Sequence, residues 1–186
     1  MKGLLLELDY VDRGFVGVLQ SSRYVQGTLD DARRGAEEDA AILQSRGFQV
    51  VREKIEAAST NPGVPRTPED ARSSPPDRYF EFHVLVDGKS GPISNDDVAS
   101  LRSIARSAGE RLGQPVPLSY NALKPAQRFL NLRQRGVGLD LALTRVREIE
   151  DELSRTGTLE VRKVISEYIC FDTNLSLDDG WLEPLP

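Results

Sequence analysis

Displaced by 110 positions, the chain matches itself over two stretches. Leu29, Asp30 and Ala32 fall on Leu139, Asp140 and Ala142, and Glu38, Leu43 and Gly47 fall on Glu148, Leu153 and Gly157. Val51, Arg52 and Ile55 then fall on Val161, Arg162 and Ile165. The match is ungapped, and it passes from an amphipathic stretch through a glycine to an alternating stretch. That is the order helix, stop, strand. A chain that uses this unit twice is confined to architectures in which helices pack on a sheet.

Periodicity places the remaining elements around the two copies. Residues 4–11 and 14–20 alternate as strands, with Asp12-Arg13-Gly14 as a turn. Leu29, Ala32, Ala36, Ala40 and Leu43 form one stripe of a helix over about 28–46, with Thr28 as N-cap and Gly47 as stop. Residues 48–57 then read as a strand with Arg52, Lys54 and Glu56 on one face. Pro62, Pro65, Pro68, Pro75 and Pro76 crowd residues 59–78, which predicts a linker or loop without regular structure. Beyond it, strands are predicted over 79–86, 116–121, 127–134 and 158–172. Helices are predicted from the Ser94-Asn95-Asp96-Asp97 cap to Leu112 and from Leu139 to Arg155. The tail 173–186 is irregular, with Trp181 as its anchor.

The order after the proline-rich segment is βαββαβ, which is the ferredoxin-like split βαβ arrangement. The predicted fold is therefore α+β. A ββαβ half-unit (1–58) precedes a linker (59–78), a ferredoxin-like unit (79–172) and a tail (173–186), and an antiparallel sheet carries helices on one face.

Bulk properties narrow the function classes. The 186 residues suffice for one domain or two small ones, and the net charge is −5. An acidic chain binds phosphate backbones only through a local basic patch. Lys124, Arg128, Arg133 and Arg135 are such a patch, expected to lie near the acidic tail and be partly neutralised by it. Cys170 is the single cysteine, so no internal disulfide forms; it reads as a small buried hydrophobe. No apolar run spans a bilayer, and Glu7 interrupts the N-terminal one, which predicts a cytoplasmic protein without membrane attachment. No phosphate-loop, dinucleotide or nucleophile-elbow motif occurs, and no cofactor is expected.

Strand alternation selects the candidate site. Over 79–86, Phe80, Phe82, Val84 and Val86 face the helices, whereas Tyr79, Glu81, His83 and Leu85 face away. Over 127–134, Leu130 and Leu132 point inward and Phe129, Asn131 and Arg133 outward. The repeat equates Arg162 with Arg52. An open face carrying Glu81, His83, Asn131, Arg133 and Arg162, with Arg52, Lys54 and Tyr79, is the predicted binding surface. His83, the single histidine, and Glu81 are the candidates for acid–base work. Two such ligands are too few for a metal, so no metal site is expected.

Tyr24-Val25-Gln26-Gly27 resembles the Val-Gln-Gly loop of acylphosphatases, but Asp31 stands where that family's catalytic arginine would be. Arg52-Glu53-Lys54-Ile55-Glu56 resembles the charged strands of polyphosphate-processing tunnels, without their E-x-E-x-K opening. RNA-recognition modules share the strand order. Tyr79 and Phe129 could stack bases, but the consensus is absent and the charge is wrong, so nucleic acid is not an expected partner. The expected function is a non-catalytic module binding a small anionic ligand or a protein. A homodimer through the open face would bury Tyr79, Leu85 and Phe129. The alternative is a small enzyme acting on an anionic, phosphorylated substrate, with His83 as acid or base, Glu81 as orienter and Arg133 or Arg162 as anion binders.

Overall fold

The computed structural model describes residues 2–10, 14–121 and 126–178. In chain order the elements are β1 (Lys2–Tyr10), β2 (Gly14–Ser22), α1 (Leu29–Ser45), β3 (Lys54–Ala58), α2 (Pro68–Ser73) and β4 (Tyr79–Gly88). They continue with α3 (Asn95–Leu112), β5 (Leu118–Asn121), β6 (Arg128–Arg135), α4 (Leu139–Arg155) and β7 (Leu159–Asp172), followed by a 3-10 turn over Leu175–Asp178. The chain is α+β. Trp181, Lys124, Asp179 and Glu183 lie outside the described residues. Among the described residues no helix is long and apolar enough to cross a membrane.

One antiparallel sheet of seven strands runs in the order β2-β1-β5-β6-β4-β7-β3. The strands on either side of the proline-rich segment therefore share a sheet. β1 and β2 extend the β5 end, while β3 forms the opposite edge against β7. Phe80, Phe82, Val84 and Val86 alternate into the core, where they meet Leu130 and Leu132 of β6. Leu101, Ala105 and Ala108 of α3 and Ala142, Val146, Ile149 and Leu153 of α4 close that core. These are the stripes that the 3.6-residue period defines.

The strand expected over 48–57 is confined to Lys54–Ala58. Upstream of it, side chains join one backbone bond, from Thr173 N to Glu53 O, in satisfying the chain. Thr173 Oγ1 accepts from Glu53 N at 2.8 Å, and Asn174 Nδ2 donates to Val51 O at 2.9 Å. Phe48 and Val51 stay exposed. α1 and α4 each span 17 residues and begin 110 positions apart, yet α4 buries five residues and α1 only Gly35 and Ala40. The central strands are shielded by α4, whereas α1 lies over the short edge strand β3.

The proline-rich segment is the largest departure from expectation, since it contains a helix. Thr67 caps α2 through a reciprocal bond with Asp70, and Pro68 occupies the first turn, where its missing N–H costs nothing. Val64 and Ala71 are buried, and Val64 joins the core. The segment also caps another helix. α4 has no side-chain cap at Gly138; instead Leu139 N donates to Pro65 O at 2.9 Å and Asp140 N to Arg66 O at 3.4 Å. The carbonyls of the presumed linker thus satisfy amides that every helix start leaves open.

This contact requires a glycine at position 138. A Cβ there would sit 2.3 Å from Arg66 O, a backbone atom that cannot swing aside. Gly138→Ala is expected to lose about 1–3 kcal/mol in urea unfolding, the range for overpacking a tight contact. An unchanged midpoint would show that the segment does not hold the start of α4.

Candidate functional site

Helices cover one face of the sheet. On the other, Tyr79, Glu81, Asn131 and Arg133 are nevertheless buried. The register explains how they meet. Glu81 lies opposite Arg133 across β4–β6 and opposite Glu167 across β4–β7, and His83 lies opposite Asn131 and Ile165. Directly opposed residues share a face, so three strands deliver their polar side chains to one strip.

Glu81 is the centre of the strip, at 1% side-chain exposure. Its Oε2 accepts from Lys54 Nζ at 2.7 Å, and its Oε1 accepts from Arg133 Nε at 2.8 Å and Nη2 at 2.6 Å. Burial alone would push this carboxyl upward; the adjacent Lys54 and Arg133 charges override it and hold the carboxyl well below the usual range. Lys54 also contacts Glu56 at 2.7 Å. Burial disfavours its charge, but Glu81 and Glu56 raise its pKa overall.

A second cluster adjoins the first. Arg52 forks onto Asp172, with Nε donating to Oδ1 at 3.0 Å and Nη2 pairing with Oδ2. Tyr79 Oη donates to Asp172 Oδ2 at 3.0 Å and accepts from Arg52 Nη2 at 3.1 Å. The Tyr79 ring lies 6.0 Å from the Arg133 guanidinium and 5.8 Å from that of Arg135. Burial, then the nearby Glu81 charge, raises the phenol. At Asp172 burial opposes ionisation, but bonds from Arg52 and the Asn174 backbone lower the carboxyl.

The protonation of His83 follows from its neighbours. Asn131 Nδ2 donates to Pro117 O at 3.2 Å and to Ser119 Oγ at 2.9 Å. A carbonyl cannot donate, so the amide orientation is fixed and Oδ1 faces His83 Nδ1 at 2.6 Å. That nitrogen must carry a proton. The other, Nε2, lies 3.6 Å from Glu167 Oε2 and 4.0 Å from Glu81 Oε1, where a proton is again favoured. Burial works against the charge; Glu167, Glu81 and Asn131 outweigh it, and the pKa rises. Both ring nitrogens of His83 face oxygens, an arrangement that favours the protonated ring.

Seven of the expected site residues therefore come together: Arg52, Lys54, Tyr79, Glu81, His83, Asn131 and Arg133. Arg162 does not join them. A bulge in β7 opposite Leu85 and Val86 inserts Arg162 as an extra residue. Its side chain is 65% exposed and 3.9 Å from Asp87. The equivalence with Arg52 fails because a bulge shifts side-chain parity. Tyr79, which a homodimer through the open face was expected to bury, is already buried within its own chain. Within the expected basic patch, Arg133 pairs with Glu81 and Arg128 stacks 4.7 Å over Tyr120, while Asp172 pairs with Arg52; the rest of the expected patch–tail contact falls on Lys124, Asp179 and Glu183, outside the described residues. Cys170 is half-buried with its thiol pushed up by burial. Glu167, opposite Glu81 on β7, was not among the expected site residues.

A pocket lined by Pro75, Pro76, Arg78, Tyr79, Gln134 and Tyr168 offers about 30 Å³, room for a water rather than a metabolite. Among the described residues no three His, Cys, Asp or Glu side chains form a metal-holding group. No family model, curated protein or solved structure matches the chain.

Two outcomes are expected. Glu81→Gln strands Lys54 and Arg133 beside an uncharged group and should cost about 3–5 kcal/mol in chemical denaturation. A cost below about 1 kcal/mol would show that the strip does not contribute to stability. By NMR, His83 should titrate above its ordinary 6.5, and Glu167→Gln should lower that midpoint. With its folded pKa above its unfolded one, His83 adds stability that is complete below about pH 6.5. That stability is lost as pH rises through the folded pKa. Asp172 and Glu81 have the opposite sign: their contributions hold above the unfolded carboxyl pKa and vanish as pH falls through the folded ones.

Proposed function

We propose that this chain is a non-catalytic binding module built on a ferredoxin-like unit over residues 79–172, and that it binds protein rather than a small anion. The order β5-β6-β4-β7 within βαββαβ connectivity supports the fold reading. The β1, β2, α1 and β3 half-unit extends that sheet at both ends.

One observation carries the functional reading: the charges of the polar strip are turned on each other. Glu81 sits between Lys54 and Arg133, Asp172 receives Arg52 and Tyr79, and His83 faces Glu167. An anion entering here would have to displace buried carboxylates from their cations, and breaking buried pairs is costly. Apolar side chains are instead offered to solvent around α1 and before β3, where Ile42, Phe48 and Val51 are about half exposed. Exposed apolar groups of this size support a protein contact where they form one patch.

The competing reading, a small enzyme on an anionic substrate, draws on one feature. The neighbours of His83 favour its protonated form and its side chain is a quarter exposed, so that form could serve as a general acid. Thermal denaturation in inorganic phosphate, pyrophosphate and citrate at matched ionic strength separates the two. A binding module of this kind should show no shift beyond the salt control. A saturable rise in melting temperature that Arg133→Gln removes would overturn it in favour of the anion site.

A further inference from the structure

We propose that β3 pairs with β3 of a second copy of this chain, in an antiparallel register centred on Ile55, to give a symmetric dimer with a continuous sheet. The inference rests on the protein-binding reading above and names the partner.

β3 is the last strand of its sheet, so among the described residues one side of its backbone has no neighbour strand. Which groups face that side follows from two bonds. Thr173 N donates to Glu53 O at 3.0 Å, and Ser59 N donates to Ser166 O at 3.3 Å. Both link β3 and its flanks to β7, and both fall at odd positions. Antiparallel ladders alternate, so Lys54, Glu56 and Ala58 direct their N–H and C=O groups outward. A partner strand must bond to those three.

Only some registers with a second copy satisfy that parity, and charge chooses among them. Centred on Glu56, the pairing sets Glu56 against Glu56, a like-charge pair that opposes association. Centred on Ile55, it sets Lys54 against the second copy's Glu56 as a hydrogen-bonded pair, and symmetry supplies the same pair again. Ile55 then meets its own copy at the non-hydrogen-bonded position between them. Lys54 and Glu56 project on the same face, as their 2.7 Å contact within one chain shows. The strand is therefore self-complementary in both its hydrogen bonds and its charges, the condition for an isologous interface. No proline interrupts Lys54–Ala58, the usual device that keeps an edge unpaired.

Analytical ultracentrifugation of the full chain across a concentration series tests the pairing. A monomer–dimer equilibrium is expected, and Glu56→Lys should weaken it about tenfold or more by setting lysines against each other. The dilute Glu56→Lys chain should still melt cooperatively, at a lower temperature because Lys54 loses its Glu56 contact, which separates lost association from lost folding. In a Cys170→Ser background, Ile55→Cys should form an interchain disulfide under mild oxidant and Ala57→Cys should not, because only Ile55 meets itself. A chain that remains monomeric overturns the self-pairing and leaves the edge to a heterologous strand, while the protein-binding reading stands. A dimer unaffected by Glu56→Lys, or one cross-linked equally through Ala57→Cys, overturns the register. An anion-dependent stabilisation removed by Arg133→Gln would instead remove the reading beneath it.

Discussion

The buried carboxylate of Glu81 is the constraint on which the polar face depends. A carboxylate withdrawn from water is tolerated only when opposite charge and hydrogen bonds replace its hydration. Here Lys54 comes from β3 and Arg133 from β6, two strands that lie on opposite sides of β4, with β7 intervening before β3. Each must be in register for Glu81 to remain ionised. A slip of one residue in β4 would send Glu81 into the apolar core and Phe82 onto the polar face. The strip therefore adds less to stability than its contacts suggest, because desolvation offsets much of the attraction. What it adds is a penalty on every alternative pairing of these strands.

The residues that look catalytic by composition are members of the same ion-pair network. His83 beside Glu81 has the composition of an acid–base pair. Geometry gives it another role, because Asn131 is oriented by the Pro117 carbonyl and in turn fixes a proton on Nδ1. Glu167 facing Nε2 adds a second oxygen beside the ring, and both favour its protonated form. Composition names the groups available at a site, but the acceptors around each nitrogen decide their protonation.

What the sequence revealed, and what it concealed, divides along the range of the interactions. The alternation Phe80, Phe82, Val84, Val86 and the stripe of α4 are local periodicities, and the buried faces follow from them directly. The outward set Tyr79, Glu81, His83, Asn131 and Arg133 follows from the same parity. Arg162 was misplaced because a bulge is set by the pairing of β7 with β4, which no period in either strand records. Glu167 was overlooked for the same reason. The helix α2 was legible in principle: Thr67-Pro68-Glu69-Asp70 is a capping box with proline in its first turn. Proline density in the surrounding segment obscured it. The capping of α4 by Pro65 and Arg66 was not legible, since it joins residues about seventy positions apart through backbone atoms alone.

The two 17-residue helices show how a shared pattern acquires different meanings. α1 and α4 align without a gap, yet α4 lies over the centre of the sheet and buries its stripe, whereas α1 lies over the five-residue edge strand β3. A short edge presents little surface to cover, so α1 leaves Ile42 partly in solvent. Lys54 and Glu56 then serve two purposes at this margin. Lys54 is held by Glu81 inside the chain, which stiffens the strand, and that stiffness presents the outward amides in a fixed line. An edge ordered in this way loses less entropy when another strand joins it than a frayed one would. The internal charge network and the external edge are thus one device: ordering the polar face prepares the margin for a partner.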